Sequence, residues 1–286
     1  MSFSRPDDLT PPHRPSVVDG VAFDVHGPQE GFPMFWLHGS PSCRWEAVLL
    51  RDWAHQRGMC VAAVDRPGCG ASHHQPGWTM LYVARQLGRL ANRLGWERFG
   101  VAGGSGGGPY VLAVAHEMPK RLAFAVSLAC AGAFRDGPRV RPGLVDMGAA
   151  MAARFPGALR LGFSAFRIGS TQPLFAGWAE PLVRLGVGQE QMGQLFLEVA
   201  AEGARQGVDG WVRDTEVLHG PWGFDVGAIR CPVELVAGSK DGFVPLRYVR
   251  ALADEIPGSR FEVAEGASHF ETIFDHDRLS RLCRPR

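Results

Sequence analysis

Along most of the chain, short apolar runs alternate with stretches whose apolar positions recur at helical spacing. Val21–Val25, Met34–Leu37, Met59–Val64, Phe99–Ala102 and Leu122–Ala129 are largely apolar runs of four to eight residues. Several are stopped by glycine or proline, so they predict buried strands. Leu81, Ala84, Leu87, Gly88, Leu90, Ala91 and Leu94 share one side of a 3.6-residue period and predict a helix over 81–94. A second helix is predicted over 110–116. The alternation resumes late in the chain, with strands at Val233–Ala237 and Phe261–Val263 around a helix over 246–256. This order predicts a parallel sheet with helices on both faces.

The stretch 133–226 breaks the alternation. It offers helical periods instead: Leu144, Met147, Met151 and Phe155; then Leu195, Phe196, Val199 and Ala200; then Val208, Trp211, Val212 and Thr215. The expected organisation is therefore a core over 1–132, a helical insertion over 133–226 packed on one end of the sheet, and the rest of the core over 227–286. Residues 1–15, with Pro6, Pro11, Pro12 and Pro15, read as a loose arm.

Composition narrows the function classes. A chain of 286 residues, 45% hydrophobic, can bury a sizeable core. Thirty basic against 29 acidic side chains give a net charge of +1, with no electrostatic pull toward nucleic acid or an anionic membrane. No apolar run reaches the length of a membrane span, and the N-terminal residues lack the apolar stretch of a secretory signal. Six scattered cysteines without C-x-x-C spacing argue against a zinc cluster and for a reducing compartment. The expectation is a cytoplasmic protein without metal or organic cofactor. Its 37 glycines and 21 prolines indicate many tight turns.

The densest chemical signal is Gly103-Gly104-Ser105-Gly106-Gly107, between a predicted strand and a predicted helix. G-x-S-x-G in that context places a serine on a sharp turn at the end of a strand, with its hydroxyl exposed. A phosphate-binding loop is excluded, because no G-x-x-x-x-G-K-[ST] exists, and Pro109 disrupts any dinucleotide fingerprint. A serine nucleophile needs a base. His269, in Gly266-Ala267-Ser268-His269-Phe270 after the last predicted strand, is expected on a loop and is the candidate. His13 lies in the arm, and His55, His116 and His276 read as helix-face residues. His73 and His74 are adjacent, so their side chains diverge, and no third metal ligand is evident. Asp241, in Gly238-Ser239-Lys240-Asp241-Gly242, stands 28 residues before His269, room for a helix and a strand to return the chain to the same edge. It is the candidate acid, with Asp136 as fallback.

The chain order Ser105, Asp241, His269 resembles that of α/β-hydrolase-fold serine hydrolases. His38-Gly39-Ser40-Pro41 is similar to that family's HGxP segment. Asp65-Arg66-Pro67-Gly68-Cys69-Gly70-Ala71-Ser72 is similar to its D-x-x-G-x-G-x-S turn. The likeness covers roughly residues 17–280 and extends to the esterase and proline-iminopeptidase-like members. It implies a mostly parallel, twisted, eight-stranded sheet with helices on both faces and a lid formed by the 133–226 insertion. It also implies a nucleophilic Ser105 with His269 as base and Asp241 as its orienting acid. Backbone N–H groups of Ser40 and Gly106 would form the oxyanion hole, and His38 would be structural.

Phe134, Trp178, Trp211, Trp222, Phe243 and Phe270 are the candidate walls of an apolar substrate pocket. They point to a small, uncharged ester, lactone or thioester. A monomer or a homodimer fits the sequence equally. Proline iminopeptidases usually show HGGPG and GGSWG, where this chain has His38-Gly39-Ser40-Pro41-Ser42 and Gly106 after the serine. Dehalogenases and epoxide hydrolases of similar fold use an aspartate nucleophile, where this chain has Ser105. Carbon–carbon bond hydrolases and non-enzymatic ligand receptors on the same fold remain alternatives at this level.

Overall fold

The computed structural model describes residues 14–131, 154–171 and 190–285. Its strands are β1 (Ser16–Val18), β2 (Val21–His26), β3 (Phe32–Leu37), β4 (Met59–Val64), β5 (Phe99–Gly104), β6 (Leu122–Leu128), β7 (Glu234–Gly238) and β8 (Arg260–Ala264). They form one sheet in the order β1-β2-β4-β3-β5-β6-β7-β8. The β1–β2 and β2–β4 pairs are antiparallel, and every pair from β4 to β8 is parallel. After β3 the chain steps outward to β4, then returns to lay β5 on the other side of β3. Open α/β sheets place their sites at such a reversal, outside the carboxyl ends of the strands.

The continuous apolar runs are explained by two-sided burial. In β3, Phe35 and Leu37 join one apolar cluster while Met34 and Trp36 join another, because side chains alternate across the sheet. The first cluster is built with α2 (Met80–Arg93), α3 (Gly108–Glu117) and α7 (Leu246–Glu255); the second with α1 (Arg51–Arg57), α8 (His269–Ile273) and α9 (His276–Leu282). Thr79 caps α2 by accepting the Tyr82 N–H at 3.1 Å, just before the predicted start.

The predicted core elements occur within a few residues of their expected bounds. The pattern did not predict β1 or α1, whose runs are too short for a period to show. One expectation is corrected: His269 is not on a loop but opens α8. Ser268 caps that helix in a capping box with Glu271, whose carboxylate accepts the Ser268 N–H at 2.8 Å.

Between β6 and β7 the described residues contain the helices α4 (Pro156–Thr171), α5 (Glu190–Gly203) and α6 (Asp209–His219), and no strand. Trp211 packs edge-on against Phe163, in a cluster with Ala200, Ala204, Val208 and Cys69. Gly70 N–H donates to Gly203 O at 2.9 Å, and Gln206 donates to the carbonyls of Gly70 and Ser72. The turn after β4 is therefore the seat on which these helices dock. The helical period through Leu144, Met147 and Met151, Asp136, and most of the proline-rich arm lie outside the described residues. Among the described residues no helix is long and apolar enough to cross a membrane.

His26, at the end of β2, is buried with no hydrogen-bond partner for Nε2 among the described residues. Burial pushes its imidazole pKa down to about 4, and the charges of Arg51 and His55 add to this. A histidine in the unfolded chain takes up its proton near pH 6.5. Between there and about pH 4 the unfolded state binds more protons, so stability falls as pH falls. This one group accounts for about 3 kcal/mol over that window. In His26→Gln the fall of Tm between pH 6.5 and 4 should be visibly shallower than in the wild type; an unchanged slope would assign it elsewhere.

Candidate active site

β5 ends at Gly104 and the chain turns directly into α3 through a short 3₁₀ turn, Ser105–Gly107. Ser105 occupies the left-handed region, with φ of 53°. A non-glycine residue there carries strain of about 1–3 kcal/mol, held by the surrounding structure. Part of that hold is the Ala131 N–H, which donates to Ser105 O at 3.1 Å. Gly104 is required by close packing: a methyl group there would stand 2.5 Å from the Ile273 side chain. Ile273 lies one helical turn beyond His269 on α8, so this contact seats the helix bearing His269 on the turn bearing Ser105.

The loops after β7 and β8 are stitched together. Ser239 N–H donates to Ala264 O at 3.1 Å and Lys240 N–H to Ala267 O at 3.0 Å. Asp241 Oδ1 accepts the Phe243 and Val244 N–H groups, each at 2.8 Å, and Oδ2 lies 2.7 Å from His269 Nδ1. Both side chains are almost fully buried. A carboxylate only accepts, so Nδ1 carries a proton, and in the neutral imidazole the lone pair is then on Nε2.

On the other side of Ser105, β3 pairs with β5 through Leu37 and Gly103, which carries His38-Gly39-Ser40 alongside the serine turn. A methyl group on Gly106 would meet Ser40 Cβ at 2.7 Å and Ser40 N at 3.0 Å. The two residues expected to supply the oxyanion donors are thus packed against each other, and Gly106 sits in a first helical turn, where N–H groups lack intrahelical partners.

Sequence reasoning missed the polar groups that hold this loop. Glu46 accepts the Gly39 N–H at 3.0 Å, the Ser42 hydroxyl at 2.6 Å and the Trp36 indole N–H at 2.8 Å. Burial raises its carboxyl pKa, while these donors oppose the rise. His38 is structural, as the family resemblance implied: its Nδ1–H donates to Gly39 O at 2.8 Å and Nε2 accepts the Arg66 N–H at 3.2 Å. Burial, with Arg66 beside it, drives its pKa well below the ordinary histidine range.

Of the aromatic candidates, Phe243 and Phe270 flank the His269 ring, with centroids 5.2 and 5.4 Å away. Trp211 is buried and donates its indole N–H to Ser42 O; Trp222 is buried, stacks on Phe224 and donates to Leu218 O. Both indoles are engaged in packing. Phe134 and Trp178 lie outside the described residues. A small cavity of about 30 Å³, partly open to solvent, adjoins the site, walled by Leu49, Leu195, Phe196, Val199, Phe270 and Phe274 with Glu46 as its polar member.

A family model described as alpha/beta hydrolase fold matches residues 31–275. Solved structures of similar fold include a thermophilic esterase from Thermogutta terrifontis, 24% identical, covering 92% of this chain and 91% of its own with a TM-score of 0.63. Another is an enol-lactonase from Burkholderia xenovorans, 18% identical over 94% and 97% of the two chains, TM-score 0.67. A third is an esterase from Exiguobacterium antarcticum, 18% identical over 93% and 96%, TM-score 0.66. No curated protein sequence matches the chain. With the family model spanning the strands and turns that carry Ser40, Ser105, Asp241 and His269, the chain belongs to the alpha/beta hydrolase fold family.

Proposed function

We propose that this protein is a serine hydrolase acting on a small, uncharged carboxylic ester, lactone or thioester. The observation that carries this reading is the Asp241–His269 hydrogen bond at 2.7 Å, which fixes the imidazole with Nδ1 protonated next to the strained serine turn. In this reading His269 Nε2 takes the Ser105 proton as Oγ attacks the carbonyl carbon. Asp241 holds the tautomer and stabilises the imidazolium. The Ser40 and Gly106 N–H groups receive the developing oxyanion, one such donor being worth about 10²–10³ in rate. His269 returns the proton to the leaving group, and water then cleaves the acyl-enzyme by the reverse path. The insertion over 133–226 acts as a lid, with Phe243 and Phe270 shaping the apolar entrance. The names of the similar structures, two esterases and an enol-lactonase, agree with an ester-type bond.

The adjoining cavity is small, about 30 Å³, and its walls are mostly apolar, which favours a short acyl chain over a long one. A series of p-nitrophenyl esters from acetate to decanoate should show multiple turnovers, with kcat/KM highest for short chains. A proline p-nitroanilide assayed in parallel should be turned over far more slowly. A preference for the proline amide would replace the esterase by an aminopeptidase; absence of turnover on every ester would favour a ligand receptor.

A further inference from the structure

Arg66, in the turn after β4, is buried and reaches the loop that carries Ser40. Its Nη1 donates to His38 O at 2.5 Å and its Nη2 to Gly39 O at 2.6 Å. The same guanidinium grips Asp214 of α6 with two bonds, Nε to Oδ1 at 2.8 Å and Nη2 to Oδ2 at 2.7 Å. Asp214 is fully buried and also accepts the Tyr110 hydroxyl from α3 at 2.6 Å, and the guanidinium lies over the Tyr110 ring, 4.8 Å from its centroid. Asp214 stands three residues from Trp211 and four from Leu218, on the buried face of α6. The last turn of the same helix meets the other oxyanion residue, for a methyl group on Gly106 would stand 3.2 Å from Leu218 Cδ1.

We propose that Arg66, aimed by Asp214, is a positioning residue that sets the Ser40 N–H for the oxyanion. The proposal rests on the serine-hydrolase reading above. The chemistry of the contacts is specific. A planar fork with five donors can serve a carboxylate and two carbonyls at once. Both carbonyls belong to the two residues immediately before Ser40, so their direction fixes the peptide planes leading to its N–H. Glu46 holds the Gly39 N–H from the opposite side, leaving the loop little freedom to rotate. Because Asp214 comes from the helical insertion, the geometry of the oxyanion site depends on α6 staying seated. An ion pair kept only for stability would not need to be directed at these carbonyls.

The test is Arg66→Lys, which keeps the buried charge but cannot reach all four acceptors in one plane. Activity is measured on a phenyl ester and on its thionoester, whose sulfur accepts hydrogen bonds poorly and gains less from a well-placed donor. In Arg66→Lys, kcat/KM for the oxygen ester should fall by about 10- to 100-fold, mainly in kcat, less than the roughly 10²–10³ of losing an oxyanion donor outright, because the Ser40 N–H is misplaced rather than removed. The thionoester rate should fall far less, so the oxygen-to-sulfur rate ratio drops at least fivefold. Asp214→Asn should shift that ratio in the same direction. If both rates fall together, in proportion to the fraction of protein that remains folded by circular dichroism, the pair is structural and the proposal is overturned. An unchanged ratio with unchanged rates overturns it as well. The wild-type protein distinguishes failure of the underlying reading: no turnover of the oxygen ester, or turnover that survives Ser105→Ala, would refute the serine mechanism itself.

Discussion

In Ser105→Ala, turnover of a short p-nitrophenyl ester is expected to fall by about 10⁴- to 10⁶-fold, and labelling by a fluorophosphonate probe to vanish. The magnitude follows from the loss of covalent catalysis: without Oγ no acyl-enzyme forms, and His269 has no hydroxyl to deprotonate. What survives is the binding of the carbonyl by the backbone donors, which leaves some acceleration over water. The fold should be unaffected. Alanine at φ of 53° meets the same backbone strain as serine, so Tm should stay within a few degrees of the wild type. Labelling that persisted in a folded Ser105→Ala protein would place the nucleophile elsewhere.

Arg44→Met should produce the largest loss of stability. Arg44 is fully buried and meets three carboxylates: Asp24 at 2.9 Å, Asp65 at 2.7 Å and Glu202 of α5 at 2.8 Å. Asp65 also accepts the N–H groups of Arg44 and Ala71, each at 2.8 Å. Removing this cation leaves the buried Asp24 and Asp65 carboxylates facing one another, with Glu202 alone keeping a second partner in Arg205 at 3.2 Å, a change that costs about 3–5 kcal/mol. That is a large share of the total stability of a typical domain, roughly 5–15 kcal/mol. The deficit should depend on pH. Burial already pushes the Asp24 carboxyl up to about 7 against the pull of Arg44, and it raises Asp65 as well. A carboxyl whose folded pKa is raised gives up stability as pH rises through that value, because the folded state holds the proton longer. Without Arg44 both pKa values climb further. Urea unfolding of Arg44→Met should therefore show a smaller deficit at pH 5 than at pH 8. A variant as stable as the wild type at pH 8 would show that the cluster contributes nothing net.

The glycine-bracketed Ser105, the Asp241 turn and His269 were legible because each follows a strand that the apolar pattern announces. Strand periodicity tells which end of the sheet a loop leaves from, and loops at the carboxyl ends of parallel strands must gather on one edge. The HGxP-like segment was readable for the same reason, being the continuation of β3 beside β5. The start of α8 was not. Its five residues carry no period, and the helix depends on the Ser268–Glu271 capping box and on Ile273 filling the space over Gly104.

The charged groups behind the site stayed hidden. Arg66 and Asp214 are 148 residues apart, and Arg44 and Glu202 are 158 apart. Asp214 lies off the helical period through Val208, Trp211, Val212 and Thr215, so its burial shows only in the folded structure. Local pattern is a property of neighbours in the chain, so the sequence by itself determined the strand ends and the residue types available there. Which buried charges meet depends on how the helices of the insertion dock on the turn after β4. That docking is decided by packing and by the need of each buried ion for a partner, and both exist only once the chain has folded.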